Sequence, residues 1–161
     1  MDAAAPLKLA ALDAEDLAII SAHLQDSVLK VRDLHWLPAE KRFVVEMNRF
    51  CWEAALDGGR RRGFERRRTA MNFDRVLSVK GQGIRKDTPD AVLELLAVEF
   101  LAGSEEPAGA VRLIFAGGGE IRLEVECVEA RLADLGAAWQ TNAMPTHDLA
   151  GQTAAPSSVR K

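Results

Sequence analysis

The sequence predicts an α+β domain built on a curved antiparallel sheet or partial barrel, with an N-terminal helix and a short C-terminal helix. Three observations favour this fold class. An apolar stripe of helical period lies near the N-terminus, alternation of period two dominates from Val28 onward, and a hairpin pattern surrounds the glycines at 117–119. Runs of strands flanked by helices, without regular βαβ alternation, are typical of α+β domains.

Asp13 predicts the start of a helix over residues 14–25. Its side-chain oxygen can accept a hydrogen bond from the free amides of the first helical turn. Residues 6–12, just before it, predict a short first strand. The apolar stripe of the helix is Leu17, Ile20 and Leu24.

Alternation over residues 28–53 predicts two strands joined by a turn at Pro38, since proline favours the first central position of a turn. In this hairpin Trp36 lies across from Phe43, which is a stabilising cross-strand pair. A further strand is expected over residues 69–80. Residues 91–103 would tolerate a helix, but their Val and Phe content favours a strand.

The segment VRLIFAGGGEIRLEVECV, residues 111–128, predicts the last hairpin. Its simplest register places Arg112 opposite Glu124 as a structural ion pair. Residues 128–136, VEARLADLG, predict a short helix that ends at Gly136. This order of elements is similar to that of pleckstrin-homology-like barrels, and such an analogy of fold carries little functional weight.

The sequence predicts one domain over residues 1–136 and a disordered tail over residues 137–161. The length fits a single domain. The tail has few apolar residues and is rich in small and polar ones. Trp139 is the exception, and we expect it to dock back on the domain.

Charge is segregated along the chain more strongly than the net charge of −3 indicates. Residues 58–86 carry ten Lys or Arg and two acids, whereas residues 87–135 carry three Lys or Arg and eleven acids. The two segments are either neighbours in the sheet or separate patches. Under strict alternation Arg75 shares an apolar face, so it is either buried against a carboxylate of the acidic segment or turned outward by a bulge.

The basic segment contains six arginines among the nine residues 60–68, and we interpret it as a solvated hairpin loop. Guanidinium groups bind phosphate through forked hydrogen bonds, and Phe64 could stack on a base. The acidic net charge disfavours nucleic acid, which leaves a protein partner, a second copy of the chain, or solvation alone. The candidate interaction loop comprises Arg60, Arg61, Arg62, Phe64, Arg66, Arg67 and Arg68.

No motif in the sequence predicts a catalytic, cofactor-binding or metal-binding site. No Cys or His pair has the spacing of zinc ligands. Cys51 and Cys127 are far apart and predict free thiols, which favours a reducing compartment. No stretch approaches the roughly 18 apolar residues of a membrane helix. We therefore expect a cytoplasmic protein that does not bind a membrane.

The segments LKLAALDAEDLAIISAHLQDSVLKVRDLHW, RFVVEMNRFCWE and FDRVLSVKGQGI together resemble an alphaproteobacterial domain-of-unknown-function family. The resemblance spans about residues 7–136 and implies a bacterial, single-domain protein. It brings no activity, cofactor or site residue. The function expected from the residues is a non-enzymatic binding or protein-interaction module that uses the basic loop or an exposed sheet edge. The alternatives are a nucleic-acid binder and an enzyme with an unrecognised site.

Overall fold

The structure, a computed structural model, describes residues 5–52, 64–136 and 139–141. These residues form one α-helix and eleven strands of a single sheet. The elements are β1 Lys8–Ala11, α1 Ala14–Leu24, β2 Ser27–Lys30, β3 Leu34–Leu37, β4 Arg42–Phe50, β5 Phe64–Phe73, β6 Val76–Gln82, β7 Val92–Ala102, β8 Gly109–Phe115, β9 Glu120–Val125, β10 Ala130–Asp134 and β11 Trp139–Thr141.

All strand pairings are antiparallel, and the strands follow the order β1-β10-β5-β4-β2-β7-β8-β9-β6. In addition, β3 pairs with the first part of β4, and β11 pairs with the first part of β5. The sheet is open, with β1 and β6 as its end strands. The predicted antiparallel sheet with an N-terminal helix is therefore confirmed.

The sheet has a corner at which two strands from one end of the strand order continue, after a bend, into two strands at the other end. β5 leads into β6 through Asp74 and Arg75, and β9 leads into β10 through residues 126–129. At the corner the Asp74 amide donates to the Glu129 carbonyl at 2.9 Å, and the Glu126 amide donates to the Arg75 carbonyl at 3.0 Å. The basic and acidic segments of the sequence are thus neighbours in the sheet.

The helix begins and buries the stripe that the sequence predicts. The Asp13 carboxylate accepts a hydrogen bond from the Asp16 amide at 2.8 Å, which satisfies a free amide of the first turn. Leu17, Ile20 and Leu24 are buried. The helix packs mainly on β7, β1 and β4.

The first predicted hairpin is confirmed over residues 34–50, but its first strand is shorter than predicted, because the 3-10 turn Val31–Asp33 separates it from β2. Trp36 of β3 lies across from Phe43 of β4. Pro38 begins a short 3-10 turn between the strands, and Lys41 ends it in the left-handed region at φ 53°. Residues 92–102 form a strand, as the Val and Phe content predicts.

The predicted C-terminal helix over residues 128–136 is wrong, because residues 130–134 form β10. Ala130, Leu132 and Asp134 point inward in strict alternation, and β10 bonds to β5 on one side and β1 on the other. Pairing on both edges outweighs the helical propensity of Ala and Leu in so short a segment. The comparison with pleckstrin-homology-like barrels loses the support it drew from this helix.

The interior between the helix and the sheet is filled by apolar side chains. Both halves of the sheet contribute to it, which is typical of one core per domain. The largest apolar side chains under 2% exposed are Phe50, Phe73, Phe115, Leu17, Ile20, Leu24, Met47, Met71, Leu95, Leu113 and Leu123.

The sheet continues past the domain boundary at residue 136 that the sequence predicts. β11, residues 139–141, pairs with β5 and places Trp139 across from Arg66. The docking of Trp139 therefore involves its backbone in a strand. The predicted disorder of residues 142–161 lies outside the described residues.

The helix supplies a hydrogen-bond acceptor to a backbone amide at a bulge in β7. The register between β7 and β8 shifts between Leu95 and Ala97. The Val98 amide donates instead to the Ser21 Oγ at 2.9 Å, and Val98 is only 3% exposed. Ser21 thus joins the helix to the bulged strand.

We expect Ser21→Ala to lower the free energy of unfolding by about 1–3 kcal/mol, because it leaves the buried Val98 amide without an acceptor. Chemical denaturation of the purified chain measures the change. Ser21→Thr keeps the hydroxyl and is the control. Equal stability of the two variants would contradict this account of the bulge.

Candidate functional site

The second half of the candidate interaction loop is a strand. Phe64, Arg66, Arg67 and Arg68 lie in β5, so their prediction as loop residues is wrong. β4 pairs with β5 on one side, and β10 and β11 pair with it on the other, so ladder hydrogen bonds fix this backbone. The segment with Arg60, Arg61 and Arg62 lies outside the described residues.

The inner face of β5 continues the core into a buried polar cluster centred on Asp134. The Asp134 carboxylate accepts hydrogen bonds from Arg49 Nε at 3.1 Å and Nη2 at 2.9 Å. It also accepts from Thr69 Oγ1 at 2.7 Å and from the Leu7 amide at 2.8 Å. The side chains of Arg49 and Asp134 are both 0% exposed. We call Arg49, Arg67, Thr69 and Asp134 the Asp134 cluster.

The hydrogen bonds of this cluster keep Asp134 ionised. Burial alone would raise the pKa of Asp134, but the bonds from Arg49, the Leu7 amide and Thr69 outweigh burial and hold that pKa below its ordinary value. A bidentate guanidinium–carboxylate pair with further donors is the arrangement that makes a buried ion pair tolerable.

Arg67 and Glu65 extend the polar region along β5. Arg67 is 3% exposed, lies across from Arg49, and donates to the Gly136 carbonyl at 3.2 Å. Glu65 is 8% exposed, and its Oε1 has no hydrogen-bond partner among the described residues. This end of the core is therefore charged rather than apolar.

One of these buried residues had a signal in the sequence. Arg49 follows Phe43, Val45 and Met47 at a strict spacing of two, which places it on the same inward face. Its partner Asp134 is 85 residues away. No spacing pattern could have joined the two.

The outer face of β5 is also occupied by internal contacts. Arg68 donates to Asp33 at 3.0 Å, to Glu46 at 3.2 Å and to the Asn48 side chain at 3.1 Å. Arg66 lies over the Phe50 ring at 5.6 Å, and burial lowers its pKa. The three arginines of β5 thus contribute to the fold instead of forming a free basic surface.

Arg75 is turned outward. It has φ 63°, its side chain is 56% exposed, and its Nε donates to Glu129 at 3.1 Å. Glu126 lies 3.6 Å away. Of the two predicted outcomes the outward one is correct, and its carboxylate partners do come from the acidic segment.

A cleft of about 470 Å³ lies at this corner, lined in part by Leu12, Asp74, Arg75 and Arg131. Asp74 accepts hydrogen bonds from Arg42 at 2.8 Å and Arg131 at 3.1 Å. The charged groups of the cleft are therefore already paired with one another, which favours a structural role for them.

The predicted ion pair of Arg112 with Glu124 is wrong. Arg112 donates instead to both carboxylate oxygens of Glu120 at 2.9 Å, and these bonds lower the pKa of Glu120. The residue directly across from Arg112 in the ladder is Arg122. The partner of Arg112 differs by two residues because the Phe115 amide donates to the Gly119 carbonyl, which places the three-residue turn at residues 116–118 instead of 117–119. Glu124 pairs with Arg122 at 2.8 Å.

One edge of β6 has no strand partner among the described residues. β6 pairs with β9 alone, and beyond that ladder its one backbone bond within the described chain runs from the Val76 amide to the Lys41 carbonyl. Leu77 on this strand is 53% exposed. An unpaired edge offers a row of amide donors and carbonyl acceptors to another chain.

Other kinds of site have less support in the described part of the chain. It contains no group of three His, Cys, Asp or Glu side chains placed to hold a metal ion. Cys51 and Cys127 are not joined by a disulfide, and Cys51 is buried. Of the described helices, none is both long and apolar enough to cross a membrane.

Comparison with known proteins gives a family without an assigned activity. A family model described as a protein of unknown function, DUF2948, matches residues 7–147. No curated protein matches the chain, and no solved structure matches it.

We expect Asp134→Asn to lower the free energy of unfolding by about 3–5 kcal/mol, because it removes the carboxylate that pairs with the buried Arg49 guanidinium. The double variant Arg49→Met/Asp134→Leu should be less destabilised than the sum of its single variants, since both charges leave together. Urea denaturation of the wild type, Arg49→Met, Asp134→Leu and the double variant measures this cycle. Additive losses would contradict a direct coupling between the two side chains.

Acid should remove the contribution of Asp134 to the free energy of unfolding. Because its pKa in the folded chain lies below the unfolded value, the carboxylate stabilises the fold above that unfolded value, near pH 4, and the contribution disappears as the pH falls through the folded value. The difference in unfolding free energy between the wild type and Asp134→Asn should therefore shrink below about pH 4. A difference that stays constant in acid would contradict the lowered pKa.

Proposed function

Since the chain belongs to the DUF2948 family, whose function is unknown, we propose from its own structure that it is a protein-interaction module of the bacterial cytoplasm. It binds an extended segment of a partner protein along the free edge of β6. The observation that carries this proposal is that β6 ends the open sheet with one edge unpaired.

Strand addition fits this edge for a physical reason. A partner strand would satisfy the unpaired backbone donors and acceptors of β6, and such main-chain bonds give affinity in this mode of recognition. β6 has seven residues, whereas β1 at the other end of the sheet has four. The longer edge offers more bonds, and so β6 is favoured over β1.

Side chains along β6 would add apolar contacts. Leu77 is 53% exposed, and Val79 is a partly buried residue that packs against the core. Alternate residues of a strand face opposite sides of the sheet. A strand laid beside β6 would therefore cover Leu77 on one side and the margin of the core on the other.

Nucleic acid is the alternative partner, and the contacts of β5 weigh against it. Arg66, Arg67 and Arg68 are engaged with side chains and carbonyls of the chain itself, so they are not available to phosphates. A module that acts in a reducing compartment also agrees with the lack of a disulfide between Cys51 and Cys127.

The edge can be tested with prolines, because consecutive residues of a strand direct their amides to opposite sides. Of Ser78 and Val79, one donates toward β9 and the other toward the free edge. Extended peptides selected from a displayed random library on the full chain serve as probes. We expect hydrogen exchange to slow over residues 76–82 when they bind.

Of Ser78→Pro and Val79→Pro, the variant that keeps the wild-type melting temperature should bind these peptides at least about tenfold more weakly, a loss of about 1.4 kcal/mol. The other variant should lose stability, since it breaks the ladder to β9. Selected peptides that protect other residues, or that bind the stable proline variant unchanged, would contradict the proposal.

A further inference from the structure

On the premise of the proposed function, we infer that the segment which β6 receives is acidic. The edge strand and the residues that follow it carry a set of exposed cations that have no carboxylate partner among the described residues. These cations are Lys80, Arg85 and Lys86, and we call them the edge cations.

Internal pairing is the rule for the basic side chains of this protein, and the edge cations depart from it. Arg32, Arg112 and Arg131 are examples of exposed or half-exposed arginines that each have a carboxylate partner. In contrast, no ion pair or hydrogen bond is found for the side chains of the edge cations. Among the described Lys and Arg residues, Lys8 of β1 alone shares this property.

The environment of Lys80 makes an added carboxylate favourable. Lys80 lies across from Arg122 of β9, and like charges directly opposite each other destabilise a sheet. Arg122 is compensated by Glu124 at 2.8 Å, whereas Lys80 has no such carboxylate. An acidic side chain on a strand added beside β6 would supply it.

The chain after β6 keeps the other two edge cations near the end of the strand. Gly83 turns the backbone at φ 73°, and the Ile84 side chain lies against Gly81 and Gly119. A Cβ at Gly119 would come within 2.9 Å of Ile84 Cδ1, so the Ile84 side chain is packed too closely on Gly119 for a larger residue to fit there. Arg85 and Lys86 follow directly and are exposed.

The same charges explain how the free edge selects its partner. A lysine on an edge strand discourages pairing with apolar strands and with other copies of the same edge, because its charge would be desolvated without compensation. An acidic strand removes that penalty, and electrostatic complementarity then speeds encounter and rejects basic segments. A peptide is favoured over nucleic acid because the edge also presents backbone bonds and Leu77.

The test uses the full chain and three synthetic peptides that share one alternating Val and Thr strand pattern and differ only in charge. The variable positions hold Glu, Gln or Lys. Fluorescence anisotropy should give the tightest binding for the Glu peptide, about tenfold tighter than for the Gln peptide at low salt, with the difference fading as salt screens it. The Lys peptide should bind most weakly.

Matched variants assign the preference to the edge cations. Changing Lys80, Arg85 and Lys86 together to Gln should bring the Glu peptide down to the affinity of the Gln peptide and leave the Gln peptide unchanged. Lys8→Gln removes the remaining unpaired cation of the described residues, serves as the control and should change neither affinity.

The outcomes separate this inference from the proposed function. If all three peptides bind equally and protect residues 76–82 from exchange, strand addition stands and the acidic preference is wrong. If none of the peptides protects β6, both are wrong. If single-stranded oligothymidylate binds more tightly than the Glu peptide and depends on the same cations, the partner is nucleic acid and the inference is overturned.

Discussion

The carboxylate of Asp134 is the group on which the organisation of half of the sheet depends. It holds the amide before β1, the guanidinium of Arg49 on β4 and the hydroxyl of Thr69 on β5, and it stands on β10 itself. These are the first four strands of the sheet order. An apolar residue could fill the same volume, but it would not distinguish one register from another, whereas a buried charge fits only where all of its donors meet.

Local patterns in the sequence predicted local structure well. The cap at Asp13 and the pairing of Trp36 with Phe43 depend on neighbours within a few residues, and both are confirmed. Predictions failed where the deciding contact is distant. The sequence predicts a helix at β10 because its partners β1 and β5 are far away in sequence. The Arg112 prediction failed for a local reason, since the run of three glycines lets the hairpin turn form one residue earlier.

The candidate site was predictable only in outline. An exposed sheet edge was expected, but which strand provides it follows from the strand order, and that order places β6 beside β9 across a long stretch of chain. The arginine-rich segment illustrates the same limit. Arg67 and Arg85 both belong to the basic segment 58–86, yet Arg67 is buried beside Asp134 on β5, whereas Arg85 is exposed after the end of β6.

The corner at Asp74 and Arg75 has a mechanical consequence. The strand that carries the edge is covalently continuous with β5, which passes through the Asp134 cluster, and the partner ribbon of β9 and β10 bends at the same place. A force applied to β6 would therefore load its ladder to β9 and, through the continuous backbone, β5 and the Asp134 cluster. The free edge of β6 is thus connected, through the continuous backbone of β5, to the strands that the buried pair of Arg49 and Asp134 holds together.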